Sequence, residues 1–126
     1  ERAESLTAGN GGMELNLAVS YGGRWDIARA ARRIAERVQA GDLDAADVDE
    51  TLLGGEMSMA DVPAPDLCIR TGGDHRISNF LLWQFAYTEL YFTETFWPEF
   101  DTAALNAAVE DFSYRKRRFG GRDDDS

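Results

Sequence analysis

The strongest constraint on this chain is the stretch Asp66 to Phe92, DLCIRTGGDHRISNFLLWQFAYTELYF, in which two strand-like runs flank a Gly-Gly turn. Asp66 to Thr71 follows Pro65 and carries Leu67, Cys68 and Ile69 in sequence, the composition of a short strand. Glu89-Leu90-Tyr91-Phe92 reads as a second strand. Between them Gly72 and Gly73 permit a tight turn and a close approach of backbone to a ligand. Five residues with polar reach follow: Asp74, His75, Arg76, Ser78 and Asn79. The apolar run Phe80 to Trp83 closes the segment and anchors it in a core. A polar cluster at the C-terminal end of a strand is the usual position for a site in an α/β fold.

The residue types suit a diphosphate. Arg70 and Arg76 offer planar forks that match phosphate oxygens. Ser78 adds a hydroxyl donor, and main-chain N–H groups after the Gly-Gly turn can form an anion-binding nest. Asp74, His75 and Glu89 are candidates to hold a divalent ion that bridges to the same phosphates. The plain alternative is a surface turn with solvated charges.

The run from Ile69 to Leu90 resembles the signature of the cis-prenyltransferases, the undecaprenyl diphosphate synthase family. Leu17 to Asp26, LAVSYGGRWD, resembles the family's LxxAxNYGGRxD block, with Ser20 where the family has Asn. Phe96-Trp-Pro-Glu-Phe100 followed by Arg115-Lys-Arg-Arg-Phe-Gly-Gly121 resembles its C-terminal block. The matches run in the family's order from about Leu6 to Gly121. The family's N-terminal phosphate loop, with its Asp, has no match in the sequence, so the expectation is the C-terminal half of one cis-prenyltransferase domain over residues 1–126, with a disordered acidic tail at 122–126.

The resemblance implies a fold and an activity. The fold is α/β, a mainly parallel sheet with helices on both sides, to which this chain contributes about three strands. The activity is condensation of isopentenyl diphosphate with an allylic diphosphate in cis geometry, giving a polyprenyl diphosphate. Arg70, Arg76, Ile77 and Ser78 match the positions that bind substrate. His75 and Glu89 match positions linked to Mg2+. Arg118 and Gly120 match an Arg-x-Gly element that reaches a neighbouring active site. Asp74 stands where the family has Glu. The key catalytic Asp is expected in the missing half, so the chain alone is expected to be inactive. A homodimer, a cytoplasmic location or one peripheral to the membrane, and a membrane-associated product follow from the same resemblance. Two rival readings are a non-catalytic accessory subunit of such an enzyme and an unrelated phosphate-binding module.

The rest of the chain fits one modest domain. A net charge of −10 argues against binding nucleic acid through a general basic surface. Cys68 is the only cysteine, which excludes an internal disulfide and suits a reducing compartment. No apolar run approaches the ~20 residues of a membrane span. Glu1 to Gly12 is polar and ends in a turn. Met13 to Ser20 alternates Met13, Leu15, Leu17 and Val19 against polar residues, a strand pattern. A helix is predicted from about Trp25 to Ala40, with Ile27, Ala31, Ile34 and Val38 on its apolar face and Gly41 as its stop. Gly22-Gly23-Arg24 before it reads as a strand-to-helix turn, with a phosphate approach as the alternative. The acidic stretch Asp42 to Asp61 reads as a solvated face rather than a metal loop, with a short helix ending at Gly54-Gly55. Phe92, Phe96, Trp97 and Phe100 read as core or dimer contact, with an isoprenoid tunnel as the alternative. Asp101 caps a final helix from Thr102 to about Arg118, where the cluster Arg115 to Arg118 suits the negative end of the dipole.

Overall fold

The computed structural model describes residues 2–115. Arg118, Gly120 and the 122–126 tail lie outside them. Two strands, β1 (Leu67–Arg70) and β2 (Glu89–Phe92), pair in parallel, with Leu67 opposite Glu89 and Arg70 opposite Phe92. Four helices accompany them: α1 (Arg2–Thr7), α2 (Gly23–Ala40), α3 (Glu50–Gly55) and α4 (Thr102–Tyr114). The fold is α/β with a parallel sheet, as expected. Parallel neighbours need a long crossover. Here residues 71–88 supply it as consecutive turns, closed by Phe80 N–H to Ile77 O at 3.0 Å and Phe85 N–H to Leu81 O at 2.9 Å.

Local chemistry explains the helix ends. Gly41 stops α2 in the left-handed conformation, φ 81°, and donates its N–H to the carbonyl of Val38. Asp49 caps α3 by accepting from Leu52 N–H, and Asp101 caps α4 by accepting from Ala104 N–H at 2.9 Å. Asp44 closes a 3-10 turn over Ala45–Asp47 in the same way. Glu56 pairs with Arg37 at 2.9 Å and Arg33 at 3.7 Å. In the acidic stretch, Asp44 and Asp49 are therefore caps and Glu56 forms a surface pair.

Two expectations need correction. Residues 13–19 are not a strand: they have no ladder partner among the described residues, and Met13, Leu15, Leu17 and Val19 are 92%, 74%, 79% and 83% exposed. Alternation supplies a face, but a strand exists only where its N–H and C=O groups find a neighbour. The sheet accordingly has two strands among the described residues, not three. Helix α2 also buries Gly23, Asp26, Ala30 and Ile34, while Ala31 is exposed. The helix is rotated so that Asp26 points inward, and Arg29 follows it. With Met57 and Ala108, Ala30 and Ile34 make up the buried apolar core among the described residues.

Candidate functional site

The crossover leaves β1 at its carboxyl end. Gly72 and Gly73 both adopt positive φ, 84° and 77°, which only glycine enters freely. Their N–H groups donate to Thr95 O at 2.9 Å and Thr93 O at 3.0 Å, so the turn is stitched to the chain leaving β2. These two N–H groups serve that stitching and not an anion nest. A Cβ on Gly73 would stand 2.6 Å from Glu94 Oε2.

The turn brings both predicted arginines to one point. Arg70 Nη2 donates to Asp74 Oδ2 at 2.9 Å and Arg76 Nη2 donates to the same oxygen at 2.7 Å. Arg70 is half-buried and Arg76 largely exposed. Arg70 Nε is buried with no hydrogen-bond partner among the described residues. A buried guanidinium donor without an acceptor costs free energy. The Asp74 carboxylate thus occupies only part of the donor capacity that the two forks present. Ile77 is half-buried, and Ser78 is exposed with φ 46°.

The two residues assigned to metal do not meet. His75 stacks on Phe92, ring centroids 5.0 Å apart, and its Nε2 lies 3.8 Å from Glu94 Oε1. Glu89 begins β2, three residues before Phe92, which at ~3.3 Å per residue puts it roughly 10 Å away along the strand and on the other face. Its Oε2 accepts from Arg115 Nη1 at 3.0 Å. Arg115 also donates to Leu90 O and to Asp111 Oδ2. Among the described residues no three His, Cys, Asp or Glu side chains converge to hold a metal ion. The arginine partner of Glu89 is therefore Arg115, not Arg70 or Arg76.

Sequence reasoning missed a second polar cluster. Asp26 is fully buried and accepts from Tyr21 Oη at 3.0 Å, Arg29 Nη2 at 3.0 Å, Ser58 N–H at 3.0 Å and Ser58 Oγ at 2.8 Å. Burial pushes the Asp26 carboxyl up, but the Ser58 side-chain and main-chain bonds, with those of Tyr21 and Gln84, outweigh it and hold the group below its ordinary value. Burial and the bond to Asp26 raise the Tyr21 phenol to about 12. Burial also raises the Cys68 thiol, against the pull of Arg70. An Asp in the first turn of a helix reads in sequence as a dipole partner; nothing local announces that Ser58 waits for it.

Aromatic residues after β2 do not build a core. Phe96 and Trp97 are exposed, and Trp97 stacks on Phe100. A cleft of about 580 Å³ lies elsewhere, between Met57, Val62, Leu82, Trp83 and Tyr87.

Fold and site together define an α/β protein that gathers two arginine forks and a strained serine loop at the carboxyl end of a parallel strand pair. Residues 1–120 match the family model described as "Putative undecaprenyl diphosphate synthase", and the chain belongs to that family. The ditrans,polycis-undecaprenyl-diphosphate synthase ((2E,6E)-farnesyl-diphosphate specific) of Xanthomonas axonopodis pv. citri (strain 306) is 61% identical over 118 residues, 94% of this chain and 46% of that protein. The Escherichia coli (strain K12) enzyme of the same name is 53% identical over 120 residues, 95% of this chain and 47% of its own length. The chain thus spans about half the length of the curated relatives it matches. Among solved structures, lavandulyl diphosphate synthase from Lavandula x intermedia, in complex with dimethylallyl diphosphate, is 45% identical with a TM-score of 0.88, over 94% of this chain and 51% of that one. A probable undecaprenyl diphosphate synthase from Campylobacter jejuni is 37% identical with a TM-score of 0.75, over 94% of this chain and 53% of that one.

Proposed function

We propose that this chain is the C-terminal part of a cis-prenyltransferase that joins isopentenyl diphosphate to an allylic diphosphate and yields a polyprenyl diphosphate. The observation that carries the reading is the pair of guanidiniums fixed on Asp74, one of them with a buried donor still unsatisfied. A diphosphate presents more acceptor oxygens than one carboxylate and would engage the remaining donors. Arg70, Arg76 and Ser78 then hold the diphosphate of isopentenyl diphosphate, with half-buried Ile77 between the last two in sequence. Positive charge fixed there orients the alkene toward the allylic carbon as that carbon loses its own diphosphate. The new C–C bond forms from the alkene π electrons, and a proton leaves the adjacent carbon.

The same reading takes the enzyme as a cytoplasmic homodimer that works at the membrane periphery, since its product is a lipid. No helix among the described residues is long and apolar enough to cross a membrane. Arg118 and Gly120 are assigned to substrate across the dimer by family resemblance. Magnesium belongs to the reading on the same ground. Residues 2–115 do not by themselves assemble its site, because His75 and Glu89 stand at opposite ends of the strand pair; no step is assigned to the ion.

The test uses a full-length protein carrying this chain, labelled isopentenyl diphosphate and an allylic diphosphate. Arg76→Ala is expected to raise the KM for isopentenyl diphosphate and lower kcat, a loss of about 1.5–3 kcal/mol for a charged hydrogen bond. Arg76→Lys recovers only part, because the fork is gone. Unchanged kinetics in both variants would overturn the assignment.

A further inference from the structure

Asn79 joins two parts of the molecule that lie far apart in sequence. Helix α2 opens at Gly22, which has no side chain to cap it. Its first two N–H groups are satisfied from the crossover instead. Gly23 N–H donates to the main-chain carbonyl of Asn79 at 2.7 Å, and Arg24 N–H donates to Asn79 Oδ1 at 2.9 Å. The fit is close: a Cβ on Gly22 would stand 2.9 Å from Asn79 Nδ2, and one on Gly23 would stand 2.6 Å from Leu82 Cγ. The glycine pair is the seat on which the crossover rests. With both N–H groups taken, the start of α2 is a docking point for the crossover.

The docked segment is strained. Ser78, Asn79 and Leu81 have φ of 46°, 63° and 43°, outside the ordinary range for residues with a Cβ. Asn tolerates this region better than most, but Ser and Leu do not. Such conformations persist where surrounding contacts over-determine them, and they cluster at ligand clamps. The two bonds to α2 are contacts of that kind, one residue from Ser78 and three from Arg76.

We infer that Asn79 is a positioning residue: by capping α2 from 55 residues away it holds Ser78 and Arg76 where a diphosphate meets them. The inference rests on the diphosphate reading above and adds a residue to it. Arg24 and the Gly22-Gly23 turn become the support for that clamp.

Three variants of the full-length protein test it, with KM measured separately for isopentenyl diphosphate and for the allylic diphosphate. Asn79→Gly keeps the left-handed backbone accessible and removes only the side-chain acceptor. It is expected to lower Tm and to raise the KM for isopentenyl diphosphate, with a loss of about tenfold to a hundredfold in kcat/KM, while the allylic KM holds. The second variant adds Gly22→Ser to Asn79→Gly. Gly22 has the extended conformation of a helix cap, φ −151° and ψ 129°, and among the described residues beyond its chain neighbours only Asn79 comes within 4 Å of its added Cβ. This double variant returns a cap to α2 without the side-chain half of the tether, the main-chain bond to Gly23 being common to all variants. Tm should recover while the KM for isopentenyl diphosphate stays raised. Recovery of both together would reduce Asn79 to a helix cap and overturn the inference, as would an unchanged KM in Asn79→Gly. If Tm fails to recover, the substrate split decides: a rise confined to isopentenyl diphosphate supports positioning, and an equal rise for both substrates overturns it. Arg76→Ala is run alongside. If it raises KM and Asn79→Gly does not, this inference alone fails; if it too leaves KM unchanged, the diphosphate reading fails first.

Discussion

A fully buried carboxylate is the most informative residue of the structure outside the arginine turn. Asp26 has donors on every side, and they hold its proton affinity below the ordinary value of 3.8. A depressed folded value means that charged Asp26 stabilises the fold above pH 3.8, and that this contribution is lost as pH falls through the lower folded value. Asp26→Ala leaves Arg29 half-buried with the Ser58 hydroxyl but no carboxylate, and should cost about 3–5 kcal/mol near neutral pH, measured by urea unfolding. Asp26→Asn cannot ionise, so the stability gap between it and wild type should narrow as pH falls below 3.8. A gap independent of pH would mean that charge on Asp26 is not what the cluster uses. Arg70 and Arg76 were legible from sequence because their chemistry lies in the turn itself. Asp26 was not, because its partners Tyr21, Ser58 and Gln84 come from three separate segments. Asn79 was legible as polar but not as a cap, since its acceptors serve a helix that begins 56 residues earlier in the chain.

Elements whose causes are local came out of the sequence well. The helix stop at Gly41, the cap at Asp101 and both strands stand where pattern and punctuation put them. Elements whose causes are distant did not. Residues 13–19 carry a strand's alternation, yet β pairing needs a second chain segment, which the pattern cannot supply. Helix α2 shows the same limit on a finer scale: its period was right, but its buried face turned by one residue to bring Asp26 to Ser58. Helix α4 offers a direct test of a locally caused element. Asp101 Oδ1 satisfies the N–H of Ala104, and the far end of the helix delivers Arg115 to Glu89. Asp101→Ala should therefore cost about 1 kcal/mol, read as a small drop in Tm, and Asp101→Ser should restore most of it. An unchanged Tm in Asp101→Ala would show that α4 is held by its packing alone.

The described residues enclose little apolar surface. Among the described residues four apolar side chains are buried, Leu15, Leu17 and Val19 face solvent, and the sheet has two strands. A two-stranded sheet is marginally stable unless other elements cover it. The chemistry is equally partial. Prenyl transfer requires two diphosphates to be held at once, with charge stabilised on the one that departs. Residues 2–115 bring Arg70 and Arg76 together on Asp74 at one strand end, and the proposed reading assigns them, with Ser78, to one diphosphate. Glu89 and Arg115 sit at the other end and neutralise each other. On the proposed reading, one diphosphate held without a second cannot react. The 126-residue chain by itself is therefore expected to show no transfer of labelled isopentenyl diphosphate to an allylic diphosphate, with or without magnesium, under conditions where a full-length protein carrying it turns over. Weak binding of inorganic diphosphate by the chain alone is expected, and Arg76→Ala should abolish it. Turnover by the chain alone would show that a second diphosphate site lies within these residues, and the assignment of Arg70, Arg76 and Ser78 to a single substrate would have to be redrawn.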